Sequence, residues 1–189
     1  MVSSSSELID VARSLIEEQG MHALTIERLA AAAGTSRMTL HRRGIDRAWV
    51  VAALTDQAAE AYLNAAWPAL TSSDAADVRL RQLFEAMLGV ADDYLALLSG
   101  LFSSSDSPFH VDDGAEHETD LVFVQPIERI LRDGELDGTL GPFDDPADVA
   151  AVLFNSIGWG YVHLRHAQRW GAERARRSVL DLLARAVKG

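Results

Sequence analysis

Apolar residues recur at helical spacing along almost the whole chain. Near the amino terminus the apolar positions lie three or four residues apart, so that they share one face of a helix; they are Leu8, Val11, Ala12, Leu15 and Ile16. Gly20 follows this stripe at the position where a left-handed cap would end the helix. The pattern therefore predicts a first helix that ends near Gly20.

Two shorter helices are predicted directly after it. Thr25 is a typical capping residue, and it precedes a small apolar face formed by Ile26, Leu29, Ala30 and Ala33. Gly34 interrupts this pattern, either Thr35 or Ser36 offers the next cap, and the segment 38–43 is long enough for two turns or less. Two brief helices that meet across a glycine turn indicate a helix-turn-helix.

The rest of the chain also has helical periodicity. Five further helices are predicted at residues 48–66, 75–98, 121–132, 146–169 and 172–187. Their separators are predicted at Pro68 and at residues 71–73, 103–114 and 134–142. No strand pattern competes, so the predicted fold class is all-α. We divide the chain into a helix-turn-helix domain, residues 1–46, and a larger helical domain, residues 47–189.

Composition and charge narrow the chemistry that this fold can perform. The 189 residues include no cysteine, which excludes disulfides, thiolate metal sites and cysteine nucleophiles. The first 47 residues hold six arginines and six acidic residues, so that the remainder carries the whole formal charge of -11. Since phosphate responds to local charge, only the first quarter is a plausible surface for nucleic acid. The amino terminus lacks the pattern of a secretory signal and no segment is apolar enough to span a membrane, which predicts a cytoplasmic protein with no membrane partner.

The second short helix of the pair is the candidate contact surface. Leu40 is placed to point inward, which leaves four donor side chains for the outer face, namely Arg37, Thr39, His41 and Arg42. Such a helix fits the major groove, where an arginine can bond bidentately to guanine, and Arg37 is our candidate for base reading. The alternative is a solvated helix face, which is the usual role of a charge run.

The segment LIDVARSLIEEQGMHALTIERLAAAAGTSRMTLHRR carries a family resemblance. From Leu8 to Leu54 the chain resembles the DNA-binding region of TetR-family transcriptional regulators. The resemblance implies contacts with double-stranded operator DNA from Thr25 and Ser36, from Thr39 and His41, and from Arg47 near a phosphate. With the arginines of the candidate helix, the predicted DNA-binding residues are Thr25, Ser36, Arg37, Thr39, His41, Arg42, Arg43 and Arg47.

Two positions depart from the family pattern. His41 replaces a tyrosine and reaches less far, and Gly44 replaces a phenylalanine, so that Ile45 or Trp49 would have to supply the lost packing. The serine-rich amino-terminal arm has no basic residues for the minor groove, and we therefore expect recognition through the major groove alone.

The resemblance implies that the acidic remainder binds a small-molecule effector and forms a homodimer. A dimer brings two recognition helices to successive major grooves, about 34 Å apart. The predicted interface combines small and apolar positions of the last two helices, listed here in chain order: Ser156, Gly160, Ala175, Val179, Leu182, Leu183 and Ala186. The alternative is that this stripe faces its own core.

An effector pocket is predicted from the spread of large apolar residues over several helices. The candidates are Trp67, Phe84, Met87, Phe102, Phe123 and Trp159, with Asn155 or His163 to orient a ligand. Each of them also fits an ordinary core. A polar segment nearby contains His110, Glu116 and His117, but their irregular spacing does not support a metal site, and none is predicted.

Enzymatic motifs are missing from the sequence. It contains no P-loop, no paired-glycine dinucleotide motif, no nucleophile-elbow serine and no HExxH pair. We predict no catalytic residues and no cofactor. The favoured hypothesis is a ligand-responsive regulator, in the first place a repressor released from a near-palindromic operator. The alternative is a helical small-molecule-binding protein or enzyme that has kept the fold and lost operator binding.

Overall fold

The computed structural model describes residues 4–103 and 120–188, and in these ranges it consists of helices and short connections, with no β-strand. The α-helices are α1 (Ser5–Gln19), α2 (Ile26–Ala32), α3 (Arg37–Arg42), α4 (Arg47–Thr71), α5 (Ala76–Asp93), α6 (Leu95–Ser103), α7 (Gln125–Asp137), α8 (Pro146–Leu153), α9 (Gly160–His166) and α10 (Ala172–Ala186). A 3-10 turn covers Met21–Ala23, and π-helical turns cover Asp120–Val124 and Phe154–Trp159. The predicted all-α class and the helix-turn-helix are confirmed.

Side-chain caps explain where α2, α3 and α4 begin. Thr25 Oγ1 accepts from the backbone amide of Arg28 at 3.3 Å, and Ser36 Oγ accepts from that of Thr39 at 3.1 Å. Asp46 caps α4 in the same way, through its Oδ1 and the amide of Trp49 at 2.7 Å. Each cap satisfies a backbone donor that the first turn of a helix cannot pair internally. The cap predicted at Thr25 is confirmed, and of the two candidates Thr35 and Ser36 it is Ser36 that caps α3.

Three glycines with positive φ shape the turns around the short helices. Gly34 and Gly44 have φ of 65° and 69°, a conformation that glycine adopts without the steric cost of a Cβ. Gly20 ends α1, but its φ of 81° and ψ of 166° lie outside the left-handed helical region. The left-handed cap predicted at Gly20 is therefore wrong; Gly20 ends α1 in another conformation, and the 3-10 turn Met21–Ala23 follows directly.

The core of the helix-turn-helix extends beyond its own three helices. Val50 and Leu54 of α4 and Leu97 and Leu101 of α6 are buried in the same cluster as the apolar stripe of α1. Ile45 is buried there and Trp49 packs against the cluster, so that both residues contribute apolar packing beside Gly44. Packing alone does not separate the chain at the predicted boundary between residues 46 and 47.

Two predicted helix ends are wrong because packing overrides the local signal. Pro68 lies inside α4, which continues to Thr71; Ala66 and Ala69, on either side of it, are buried in the larger core. Gly134 lies inside α7, where an added Cβ would stand 2.5 Å from Leu140 Cδ1. Gly134 therefore serves close packing of the following loop rather than ending the helix.

Two predicted long helices are interrupted. The helix predicted at 75–98 divides at Tyr94 into α5 and α6. The helix predicted at 146–169 contains the π-helical turn Phe154–Trp159 and ends at His166. Such wide turns distort an α-helix without ending its path, and they occur often near functional sites.

The larger hydrophobic core is formed by the helices from α4 to α10. Its largest fully buried side chains include Tyr62, Phe84 and Tyr161. No helix in the described ranges is both long and apolar enough to span a membrane.

Candidate nucleic-acid interface and ligand pocket

Four of the predicted DNA-binding residues border one shallow depression on the helix-turn-helix. The depression has a volume of about 370 Å³. It is lined by Thr25 at the start of α2, by Arg37 and His41 of α3, and by Arg47 at the start of α4. Thr39 is half-buried on α3, and Arg42 and Arg43 are exposed at its end. The fold thus brings side chains that are 22 residues apart in the sequence to one face.

The two hydroxyls that cap α2 and α3 are held in fixed positions. Ser36 Oγ is hydrogen-bonded to the amide of Thr39 and lies 2.9 Å from Thr39 Oγ1. Thr25 is exposed while it caps α2. Each oxygen accepts from a backbone amide and still carries its own hydroxyl proton, which it can donate to a phosphate oxygen. The two hydroxyls therefore cap their helices and can still donate to a phosphate of the DNA backbone.

Arg37 is held by a weak partner. Its Nη1 lies 2.9 Å from Glu27 Oε1, and its side chain is 73% exposed. An ion pair between exposed groups contributes about 0–1 kcal/mol, since water screens the attraction. A base edge or a phosphate can therefore replace Glu27 at small cost. Arg43 Nη2 donates to Ser5 Oγ at 3.4 Å, which links the end of α3 to the start of α1.

Met38 is a surface residue of α3 that was not predicted from the sequence. Its side chain is 65% exposed and lies between Arg37 and Thr39 in the chain. Apolar side chains in a major groove can contact the thymine methyl group. The signal was present in the hydrophobic pattern, because Met38 is two residues from the inward-facing Leu40 and so falls on another side of the helix.

A second concave site lies in the larger domain. The pocket has a volume of about 400 Å³ and is bordered by α4, α5, α6, α9 and the two π-helical turns. Its wall contains a run of stacked aromatic rings: Tyr62 lies 4.7 Å from Phe123 and Phe123 lies 5.3 Å from Phe154, centroid to centroid. Trp159 and Met87 complete this apolar side.

The structure brings three of the eight predicted ligand residues to this pocket. Met87, Phe123 and Trp159 line it. Phe84 is buried in the closed core one turn before Met87, and the side chain of Phe102 lies outside the described residues. Trp67, Asn155 and His163 are exposed, because the helical phase turns each of them away from the pocket. Trp67, Phe84, Asn155 and His163 therefore do not line this pocket.

Tyr62 is the pocket residue of greatest chemical interest that sequence reasoning missed. It is 1% exposed, and its hydroxyl has no hydrogen-bond partner among the described residues. Burial raises the pKa of Tyr62, so the phenol stays protonated. A buried hydroxyl without a partner costs about 1–3 kcal/mol relative to a satisfied one. Only its place in the buried stripe of α4 was visible in the sequence, and that stripe does not single it out.

The predicted dimer residues divide into two groups. Ala175, Val179 and Leu183 are buried in this chain's own core, which favours the alternative of core packing for these three positions. Ser156, Leu182 and Ala186 are exposed and Gly160 is half-buried. Val152 is also exposed, one turn before Ser156, and was not among the predicted residues. Of the predicted residues, Ser156, Gly160, Leu182 and Ala186 thus remain at least partly exposed on this chain.

An ionic cluster joins three helices of the larger domain at the end of α5. Asp92 accepts hydrogen bonds from Tyr161 Oη at 2.8 Å, Arg165 Nε at 2.7 Å and Arg176 Nη2 at 2.6 Å. Burial alone would raise the pKa of Asp92, but the bonds from Arg165, Tyr161 and Arg176 lower it below its usual value. The charged carboxylate therefore fixes α5 to α9 and α10.

The same end of α5 contacts the helix-turn-helix. Arg13 of α1 donates from Nη2 to the carbonyl of Asp93 at 3.0 Å, and its guanidinium lies 4.4 Å from the ring centroid of Tyr94. Met87, Val90 and Ala91 of the preceding turns line the pocket. The last turns of α5 thus form part of the pocket wall, and the residues at its end contact α1 of the helix-turn-helix.

The sequence predicts no metal site, and the three residues considered for one, His110, Glu116 and His117, lie outside the described residues. Within residues 4–103 and 120–188, no three or more histidine or acidic side chains are grouped so that they could hold a metal ion.

Comparisons with known proteins agree with this architecture. Residues 8–43 match the family model of bacterial regulatory proteins of the tetR family. The structure of PfmR, a TetR family transcriptional regulator from Thermus thermophilus, is 20% identical over 98% of this chain and 97% of that chain, with a TM-score of 0.70. SmeT, the repressor of the Stenotrophomonas maltophilia multidrug efflux pump SmeDEF, is 19% identical over 98% and 90%, with a TM-score of 0.70.

A third similar structure is the MbdR regulator from Azoarcus sp. CIB, with 14% identity over 96% of this chain and 97% of that chain and a TM-score of 0.72. A search of curated proteins finds no match. The resemblance of the amino-terminal region to TetR-family regulators is confirmed, and the described chain has the fold of these proteins.

Proposed function

We propose that this protein is a homodimeric DNA-binding transcriptional regulator that responds to a small molecule, and in the first place a repressor. The observation that carries the proposal is the shared surface formed by Thr25, Arg37, His41 and Arg47 on a helix-turn-helix that matches the tetR family model. Because a regulator of this kind acts on chromosomal DNA, we expect the protein in the cytoplasm.

DNA contact is supported by the chemistry of that surface. Arg37 offers a planar fork of donors that suits guanine, and its exposed pair with Glu27 is easily exchanged. Arg42, Arg43 and Arg47 follow within ten residues and suit phosphates. The acidic remainder of the chain favours an approach in which the helix-turn-helix faces the duplex, because its net charge repels the backbone elsewhere.

Dimerisation supplies the second recognition helix that a selective contact needs. One short helix reads few base pairs, whereas two related by a dyad reach successive major grooves about 34 Å apart. We assign the interface to the exposed positions Val152, Ser156, Leu182 and Ala186 together with Gly160. Small residues at Ser156, Gly160 and Ala186 allow close approach of paired helices, while Val152 and Leu182 offer apolar area.

Effector response is supported by the pocket and by its position on α5. A molecule that fits the pocket better in one arrangement of α4 and α5 shifts the protein towards that arrangement. The end of α5 holds Arg13 of α1 through Asp93 and Tyr94, and α4 begins in the core of the helix-turn-helix. By linkage, DNA weakens effector binding by the same factor as the effector weakens DNA binding.

A second candidate function remains on the same fold. His41 and Gly44 depart from the family pattern, and the pocket would serve equally a small-molecule-binding protein that has lost operator recognition. We assign no catalytic residue, because Asp56, which is exposed, and Tyr62 are the ionisable side chains in the described lining of the pocket.

Selection of bound fragments from a sheared genome separates the two functions. A regulator enriches a small set of fragments, and footprinting on them reveals a near-palindrome whose half-sites are centred about one helical turn apart. Enrichment no greater than that given by an unrelated acidic protein would contradict the regulator and leave the binding protein.

A further inference from the structure

The pocket of the larger domain has a chemistry that limits what it can hold. Its described lining is almost wholly apolar, with the stacked rings of Tyr62, Phe123 and Phe154 on one side and Trp159 beside them. Flat apolar molecules bury most surface against such rings, and offset stacking adds about 0.5–1.5 kcal/mol per pair of rings. The shape and the lining therefore favour a drug-sized aromatic occupant over a flexible polar one.

Charge sets a second limit. The described lining contains no arginine, lysine or histidine, and its one charged side chain is Asp56, at an exposed position. An anion entering the pocket would lose its hydration without gaining a cationic partner, and it would meet the negative charge of Asp56. A cation would gain little from Asp56, since an exposed carboxylate is screened by water. An uncharged molecule avoids both costs.

Tyr62 sets a third limit. Its hydroxyl is buried, protonated and without a hydrogen-bond partner in the part of the chain that the structure describes, and the residue lines the pocket. The unsatisfied hydroxyl makes the empty arrangement less stable, and a bound acceptor atom removes this cost by forming the missing hydrogen bond. Because less than 1 Å² of the hydroxyl is accessible, wall side chains must move to admit that acceptor. Phe123 is half-buried and stacks on Tyr62, with the ring centroids 4.7 Å apart.

We propose that the pocket selects uncharged, mainly aromatic molecules that carry one hydrogen-bond acceptor, such as a ketone oxygen, for the Tyr62 hydroxyl. This assignment rests on the proposed function only in that the bound molecule would act as an effector. The binding itself depends on the pocket alone. Carboxylates of the same shape are rejected, because no cation in the described lining can pair with them.

A set of probes with one ring system tests the assignment on the full chain without DNA. The reporter is the neutral fluorescent ketone prodan, and the competitors are methyl naphthyl ketone, ethylnaphthalene, naphthoate and naphthylmethylammonium. We expect prodan emission to shift to the blue on binding and the ketone to compete best. Ethylnaphthalene should follow, and naphthoate should compete at least tenfold more weakly than the ketone.

Tyr62→Phe removes the hydroxyl and keeps the ring. It should weaken the methyl naphthyl ketone about 2–10-fold, the equivalent of one neutral hydrogen bond, and leave ethylnaphthalene unchanged or slightly tighter. Tyr94→Phe is the matched control, because it removes the same group from a tyrosine that does not line the pocket. Circular dichroism checks that both variants are folded, and the comparison of probes on the unmodified chain stands without either variant.

Three results would overturn the assignment: no displaceable prodan binding, naphthoate or the ammonium competing as well as the ketone, or an equal loss of ketone and ethylnaphthalene affinity in Tyr62→Phe. A separate titration of operator DNA keeps the proposals apart. Probe selectivity as described in a protein that binds no DNA would remove the regulator and keep the pocket assignment; DNA binding without probe selectivity would do the reverse.

Discussion

Arg37 connects the sequence pattern to recognition at the scale of one residue. Its guanidinium leaves the helix surface beside Met38 and pairs with Glu27 across an exposed contact of 2.9 Å. The same α3 presents Thr39 and His41, so that the donor on which base selection depends is flanked by groups suited to phosphate. A change at Arg37 should therefore alter which sequence is bound more than how the protein folds.

The Arg37→Ala variant should lose base preference at one position of each half-site. A bidentate contact from arginine to guanine is worth about 1–3 kcal/mol of discrimination, and the loss appears as a smaller affinity ratio between the operator and its single-base variants. Arg81→Ala is the matched control, because Arg81 forms a similar exposed pair with Glu85 on α5. An Arg37→Ala protein with unchanged base preference would refute the base-reading role.

Local chemistry at this scale was predictable, and long-range convergence was not. Thr25 and Ser36 were identified as caps because a cap depends on the three or four residues that follow it. Phe84 and Met87 lie one turn apart on the same helix, and only the packing of other helices decides that one is in the core and the other in the pocket. The buried position of the Tyr62 hydroxyl could not be predicted, because it also depends on the packing of other helices.

At the scale of elements, the division between α5 and α6 links the two parts of the molecule. Asp92 holds α9 and α10, while the carbonyl of Asp93 and the ring of Tyr94 hold Arg13 of α1. The sequence showed one apolar stripe through this region and therefore predicted one helix. Asp92 and its arginine partners are separated by 73 and 84 residues, a distance over which no local pattern could reveal the pairing.

Gly100 permits α6 to approach the helix-turn-helix. An added Cβ would stand 2.3 Å from Met21 Cβ, which is too close to the backbone to swing away. We expect Gly100→Ala to lower the free energy of unfolding by about 1–3 kcal/mol and to change DNA affinity through the displaced α6. Gly89→Ala is the control, since nothing lies within 4 Å of its added Cβ, and it should raise stability by about 0.5–1 kcal/mol. Urea denaturation measures both, and equal effects would contradict the packing account.

Asp92→Asn should destabilise the larger domain in a pH-dependent way. The pKa of Asp92 is lowered in the folded protein, so its contribution is present above the unfolded pKa of about 3.9 and is lost as the pH falls through the folded value. At neutral pH the variant should lose about 1–3 kcal/mol, because two arginines lose a charged partner. Below the folded pKa the two proteins should converge. Glu85→Gln, in an exposed pair, should change little at either pH; a loss for Asp92→Asn that is independent of pH would contradict the ionic role.

At the scale of the whole molecule, an acidic body follows an amino-terminal segment, residues 1–47, that has no formal net charge. The first 47 residues balance six arginines against six acidic groups, and four of those arginines follow Ser36. The predicted class and the order of the helices survive in the structure, because helical periodicity is a local property. The dimer surface had to be narrowed, because a periodic stripe on α10 does not reveal that Val179 and Leu183 already face their own core.

A substitution at Leu182 tests whether the assigned surface binds a second copy of the chain or faces solvent. Leu182 is 55% exposed on α10, within the surface assigned to the dimer, whereas Leu136, outside that surface, is 88% exposed on α7. Leu182→Arg should convert the dimer to monomers by placing like charges across a dyad, whereas Leu136→Arg should leave the mass unchanged. Sedimentation equilibrium measures both. A Leu182→Arg protein that stays dimeric would move the interface elsewhere.

The most direct measurement of the central claim is the salt dependence of binding to a labelled duplex that contains the selected fragment, with no small molecule present. We predict selective binding whose affinity falls about 1,000-fold or more between 50 and 200 mM salt if six or more phosphates are contacted, while the same titration with Arg42 and Arg43 both replaced by alanine has a shallower slope. Indifference to every duplex at low ionic strength, or binding that salt does not weaken, would contradict the claim.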